Sequence, residues 1–122
     1  MSKVKMQIWG RDFNLEVFYK NYKGKEITEN QKLTYEKFIS ADEAIEKSKK
    51  KIIAYIEDNY GEVGKIENIF KYVIPKVLYI SREEDQRKCA LLCDFKFDIE
   101  HGIAIIFENE KFEEIASQDD IL

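Results

Sequence analysis

Residues that interrupt regular structure are scarce in this chain of 122 residues, which has one proline and five glycines. Hydrophobic residues make up 44% of it. This composition excludes the disordered and low-complexity classes, whose chains are poor in apolar residues. A chain of this length, with no visible linker or repeat, predicts one domain over residues 1–122 that can bury a substantial core.

Long hydrophobic runs are also absent, because the longest uninterrupted apolar stretch has five residues. A membrane-spanning helix needs about 20. The first ten residues, MSKVKMQIWG, contain no apolar region like that of a signal peptide. We therefore expect no membrane partner and a cytoplasmic location.

Residues that bind metals or form disulfides are few, namely two cysteines and one histidine. Cys89 and Cys93 lie four positions apart in a predicted strand, which separates them by about 13 Å along one face. That distance is too long for a disulfide, and a zinc site needs more cysteine or histidine ligands. We expect two free core thiols in a reducing compartment, and no cofactor.

The charge balance is acidic, with a net charge of −4 and a pI near 5.2, which argues against nucleic acid as a partner. The one basic cluster is typical of a solvated helix surface, because it spreads around a predicted helix among glutamates. It consists of Lys47, Lys49, Lys50 and Lys51. An acidic chain is better suited to a basic partner surface.

Apolar and polar residues alternate over residues 3–9 and again over residues 13–22. Alternation with a period of two is typical of half-buried strands. Gly10, Arg11 and Asp12 separate the two segments and are expected to form the turn. The pattern predicts an antiparallel hairpin.

A capping box follows the hairpin, in which Thr28 and Gln31 have the residue types and spacing that start a helix. It predicts a short helix over residues 29–39 that packs through Leu33 and Phe38. A strand over residues 33–39 is the alternative.

A second capping box, Ser40 with Glu43, precedes the strongest helical pattern of the chain. Apolar residues recur there at spacings of three and four, which predicts a helix over residues 41–59 that covers one face of a sheet. A further short helix is expected over residues 66–73. It must end before Pro75, whose ring disfavours helical geometry in the preceding residue.

The most apolar part of the molecule is residues 88–115, which predict two buried strands and a third strand after them. Residues 76–80 predict another strand, joined to this part by an exposed polar connection over residues 81–88. Strands thus cluster at both ends of the chain and helices in the middle. This order predicts an α+β fold, with a largely antiparallel sheet of five to six strands and two to three helices packed on one face.

The turn between the two buried strands holds side chains that could bind a divalent metal or transfer protons. They are Asp94, Asp98, Glu100 and His101. The competing interpretation is a structural turn, because aspartate accepts bonds from turn backbone and Gly102 can adopt positive φ. We favour the structural turn, since such short motifs give many false positives, and expect Asp98 to accept from nearby backbone N–H groups. No metal is expected.

Catalytic motifs are missing as well. No serine lies in a nucleophile motif, and the chain has neither a phosphate-binding glycine loop nor a zinc-protease motif. We therefore predict a protein without enzyme activity.

The C-terminal segment, residues 90–122, resembles a family of small uncharacterised bacterial domains that end in an aspartate-containing turn, Glu-His-Gly, an apolar strand and a final hairpin closed by Gln-Asp. The matching residues are Asp94, Asp98, Glu100, His101, Gly102, Gln118 and Asp119. The resemblance implies a cytosolic domain with no assigned activity. Domains of this general kind often look like immunity or partner-binding proteins encoded near bacterial toxins.

These observations lead to the hypothesis of a protein-binding domain, an immunity-type protein that neutralises a basic toxin domain with the help of electrostatic steering. Two alternatives remain. One is a metal-dependent enzyme that uses Asp94, Asp98, Glu100 and His101. The other is a structural or regulatory homodimer.

Overall fold

The computed structural model describes residues 2–121 as one six-stranded sheet with two α-helices. The strands are β1 (Ser2–Ile8), β2 (Arg11–Tyr19), β3 (Val73–Ile80), β4 (Lys88–Phe95), β5 (Ile103–Glu108) and β6 (Lys111–Ser117), and they lie in the sheet in chain order. The helices, α1 (Glu29–Phe38) and α2 (Asp42–Asn59), connect β2 to β3. The predicted α+β class is confirmed. None of the described helices is both long enough and apolar enough to cross a bilayer.

The sheet is mixed rather than purely antiparallel. Four neighbouring strand pairs are antiparallel, but β2 and β3 run parallel, with Glu16 opposite Val77. A parallel neighbour requires a crossover connection, and the segment that contains α1 and α2 supplies it. Hydrophobic patterns locate strands but carry no information about their direction, so the sequence did not indicate this pair.

The β1–β2 hairpin turns at Trp9 and Gly10, whose φ angles are 52° and 85°. Ile8 lies opposite Arg11, so the turn has two residues and not the three expected at positions 10–12. Positive φ is uncommon for a bulky residue. Trp9 is held there because its buried indole N–H donates to the Ile45 carbonyl oxygen at 3.1 Å and to Ser48 Oγ at 3.2 Å.

Helix α1 begins with the predicted capping box at Thr28, and the alternative of a strand is wrong. Its buried face differs from the expectation, because Leu33 is 39% exposed. The buried residues are Gln31, Thr34 and Phe38. Gln31 can be buried because its Nε2 donates to the Lys20 carbonyl oxygen at 2.7 Å.

Helix α2 buries the predicted face, which consists of Ile45, Ser48, Ile52 and Ile56. Its predicted capping box is wrong, because the N-cap residue is Ala41 and no side chain caps the helix. The Ala41 N–H donates to the Phe38 carbonyl oxygen at 2.9 Å. This tight turn after α1 places Ser40 one residue before the cap position.

Strand β3 begins at Val73, earlier than predicted, and contains Pro75. The strand pairing with β4 shifts register between Pro75 and Val77. Such an irregularity tolerates a residue that has no N–H to donate. The helix expected over residues 66–73 is therefore reduced to a 3₁₀ turn, Ile69–Lys71.

Both faces of the sheet are buried around β4 and β5. One face packs against the two helices in the main core. The other, called here the open face, has a smaller buried cluster that consists of Tyr79, Ala90, Leu92, Ala104 and Ile106. Ile121 packs against this cluster, and the Tyr79 hydroxyl donates to its carbonyl oxygen at 3.4 Å. The C-terminal segment thus covers part of the open face.

Candidate functional site

The turn between β4 and β5 packs onto an aromatic stack. Phe97 lies nearly parallel to Tyr60, at a ring distance of 4.4 Å, and to Tyr72, at 5.6 Å. The Lys96 N–H donates to the Tyr72 carbonyl oxygen at 2.9 Å. Because Tyr60 follows α2 and Tyr72 precedes β3, the turn is joined to two other parts of the fold.

Gly102 closes this turn in a buried position with a φ of 62°, which confirms the expected positive φ. A Cβ atom at this position would collide with the Cys93 carbonyl oxygen and with Gln118 Nε2. These two atoms are themselves hydrogen-bonded at 3.0 Å. Glycine is therefore required here for two independent reasons.

Asp98 and His101 bond to each other and to the C-terminal segment. Asp98 Oδ1 accepts from the His101 backbone N–H at 3.2 Å, and the Asp98 carbonyl oxygen accepts from Gly102 N–H at 2.8 Å. This confirms the expected role of Asp98 in the turn. The imidazole lies between two carboxylates, with Nδ1 3.1 Å from Asp98 Oδ1 and Nε2 3.3 Å from Asp119 Oδ2.

The remaining candidates do not join this cluster. Asp94 pairs with Lys76 at 3.8 Å, and Glu100 is exposed. Within residues 2–121, no three histidine, cysteine, aspartate or glutamate side chains are arranged to hold a metal ion. The alternative of a metal-dependent enzyme needs such a convergent set of ligands.

Ile99 was missed by the sequence reasoning. It is 85% exposed, more than any other large hydrophobic residue among those described, and it stands at the tip of the turn between Asp98 and Glu100. Periodic patterns of apolar residues predict the core, and Ile99 belongs to no such pattern. A single isoleucine within a polar turn was the available signal.

The charges around this tip are mainly negative. We call the exposed area formed by Asp98, Ile99, Glu100 and Asp119 the Ile99 surface. Burial raises the pKa of Tyr55 on α2, and the nearby Tyr60 and Asp98 raise it further. The arrangement combines an apolar tip with a rim of carboxylates.

A groove of about 680 Å³ lies elsewhere, between the start of α2 and the β5–β6 hairpin. Three of its six charged side chains are paired within the chain. Lys47 bonds to Glu43 at 2.8 Å and lowers the pKa of that carboxyl, and Glu110 forms two bonds with Arg87.

The whole chain, residues 1–122, matches the model of a protein family described as a domain of unknown function, DUF6985. No curated protein and no solved structure matches it.

Proposed function

The chain belongs to the DUF6985 family of domains of unknown function, and we propose that it is a non-catalytic protein-binding domain that contacts its partner through the Ile99 surface. The observation that carries this proposal is the exposed side chain of Ile99 at the tip of a fixed turn. Isolated exposed apolar residues are common on protein surfaces. What distinguishes Ile99 is the number of bonds and ring contacts that hold its turn.

Rigidity favours binding because association is opposed by the entropy lost when loops and side chains become ordered. Here the aromatic stack beneath Phe97, the Gln118 bond to Cys93 and the contacts of His101 order the turn before any partner arrives. A preordered apolar tip can then fill a pocket on the partner, which is the position where most binding energy concentrates.

The proposed partner carries a basic surface, because the rim of the Ile99 surface consists of Asp98, Glu100 and Asp119. Opposite charges raise the association rate and exclude like-charged partners. We further propose that the partner is a bacterial toxin domain whose active surface is occluded, so that the chain acts as an immunity-type protein. Residues 90–122 resemble small uncharacterised bacterial domains, and most of the matching residues build or support this turn. This coincidence supports the proposal.

The test uses the toxin-like protein encoded beside the gene of this chain, co-expressed with it in a growth assay and titrated against it by calorimetry. We expect Ile99→Ser to weaken the Kd at least tenfold, about 1.4 kcal/mol. Leu33→Ser is the matched control, since Leu33 is also exposed but lies on α1. Full neutralisation by Ile99→Ser, or no toxin-like neighbour, would contradict the proposal.

The charge contribution is separated with Glu100→Lys. Glu100 is exposed, so we expect this variant to keep the parental stability. Its association rate should fall several-fold at low salt and approach that of the parent at high salt, because exposed charges are screened. An unchanged association rate would remove the basic partner from the proposal.

A further inference from the structure

The two edge strands of the sheet, β1 and β6, each have a paired neighbour on one side only within residues 2–121. The outer N–H and C=O groups of an edge strand can pair with another strand. Natural proteins commonly guard such edges with charged side chains. The charges on these two edges therefore determine which other strand each edge can pair with.

On β1 the edge charges are positive. Met6 and Ile8 face the main core, so Lys3 and Lys5 point to the open face, because successive side chains alternate. Both lysines are exposed. Lys5 lies 3.8 Å from Asp12, in a pair that is itself largely exposed and hence weak.

On β6 the charges of the exposed side chains are mainly negative, because Glu113 and Glu114 outnumber Lys111, which lies opposite Glu108. Glu114 lies opposite Ile106, which belongs to the open-face cluster, so Glu114 also points to the open face. The register shift beside it brings Glu113 to within 3.8 Å of Lys88. Both glutamates are exposed.

The helix side of both edges is apolar. Val4 of β1 and Phe112 and Ile115 of β6 are partly buried and pack against the main core. The two edges therefore have the same arrangement, apolar toward the helices and charged on the open face, but the net charges of their exposed side chains have opposite signs.

The directions of the strands restrict how a second copy can extend the sheet with its helices on the same side. From the pairing of successive strands, β1 and β6 run in the same direction. Two β1 strands or two β6 strands can meet only in antiparallel two-fold pairs. Strand β6 of one copy can meet β1 of the next only in parallel, head to tail.

We propose that this chain self-associates head to tail, with β6 of one copy paired in parallel with β1 of another. In this arrangement Glu113 and Glu114 approach Lys3 and Lys5, and opposite charges on neighbouring strands attract. A two-fold pair would instead bring two lysine edges or two glutamate edges together, which repel. The partner is thus a second copy of this chain, and the association is independent of the Ile99 surface.

A head-to-tail contact leaves one free β1 edge and one free β6 edge at the ends of an open chain. Such contacts produce rings or open chains rather than closed two-fold dimers. The average mass should therefore rise continuously with concentration. Because the contact depends on exposed charges, it should weaken as salt rises.

Light scattering after size exclusion measures this mass, starting from 14.5 kDa for one copy. We expect the wild-type chain at low salt to exceed that mass increasingly with concentration and to return to it in 0.5 M salt. The double variants Lys3→Glu/Lys5→Glu and Glu113→Lys/Glu114→Lys should each remain monomeric. The first has two acidic edges and the second two basic edges, so an equimolar mixture should associate again.

The matched control for the lysine variant is Lys49→Glu/Lys50→Glu, which makes the same change in net charge as Lys3→Glu/Lys5→Glu but on α2, and it should associate like the wild type. Far-UV circular dichroism verifies that every variant is folded. A wild-type chain of 14.5 kDa at low salt and millimolar concentration would overturn the proposal. So would a closed two-fold dimer, or a mixture of the two edge variants that stays monomeric.

Discussion

At the residue scale, Gly102 is constrained both by its backbone and by its surroundings. A non-glycine residue at a φ of 62° is strained. The Cys93 carbonyl oxygen and Gln118 Nε2 also occupy the place of a side chain. Any substitution must therefore displace Gln118 or open the turn.

These two costs can be separated with Gly24, whose φ is 78° and whose Cβ position is empty. We expect Gly24→Ala to lower the free energy of unfolding by about 1–2 kcal/mol from backbone strain alone. Gly102→Ala should lower it by at least about 3 kcal/mol, because a collision is added, and Gly102→Val by no less. Urea denaturation of the variants measures the difference. Equal losses for Gly24→Ala and Gly102→Ala would show that the close contacts are unimportant.

The sequence indicated only part of this site. An aspartate and a glycine in a polar turn predicted the bond to Asp98 and the positive φ at Gly102, since both are local effects. The contacts of Gln118 and Asp119 could not be foreseen, because they depend on how the segment after β6 returns to the turn. The exposure of Ile99 depends in the same way on the surrounding fold.

At the scale of elements, the starts of α1 and α2 show that one motif can have different outcomes. Thr28 and Ser40 have the same spacing to the residue that completes a capping box, but only Thr28 caps a helix. Ser40 lies in the short connection between the helices, where the turn after α1 determines the backbone. Sequence motifs locate helix starts to within one or two residues, and a cap depends on the exact position.

We expect Thr28→Ala to lower the free energy of unfolding by about 0.5–2 kcal/mol, because it leaves the Gln31 N–H without its acceptor. Ser40→Ala should change it by less than about 0.5 kcal/mol, since Ser40 is exposed and makes no cap. Thermal and urea denaturation of both variants provide the comparison. A loss from Ser40→Ala as large as that from Thr28→Ala would mean that the capping box of α2 forms in solution.

At the scale of the whole molecule, the number of strands, the position of α2 and the burial of β4 and β5 follow from patterns in the sequence. Runs of apolar residues on β4 and β5 are buried on both faces, and two free cysteines lie among them. The parallel junction of β2 and β3 was not predictable, because it depends on the path of the chain through both helices.

The buried thiols predict a loss of stability in alkali. Burial raises the pKa of Cys89 and of Cys93 well above the usual value, whereas the unfolded thiols ionise near pH 8.5, about the ordinary value. Above that pH the unfolded state loses protons that the native state keeps. The free energy of unfolding should therefore fall by up to about 1.4 kcal/mol per pH unit for each thiol.

Urea denaturation between pH 8 and 10.5 measures this slope. The double variant Cys89→Ala/Cys93→Ala is the control, and its unfolding free energy should fall less steeply whatever its stability at pH 7. The native wild-type chain should also react with a thiol reagent only as fast as it unfolds. Equal slopes for the wild type and the variant would show that the thiols ionise in the native state.

The parallel junction between β2 and β3 also bears on how the sheet forms. Strands β1 and β2 are joined by a two-residue turn, and β3 to β6 follow one another through short connections, so both parts can assemble from local contacts. The junction pairs residues 16–19 with residues 77–80 and must close the whole segment that contains both helices. Closing so long a loop is slow, so we expect the two parts of the sheet to form first and their union to complete folding.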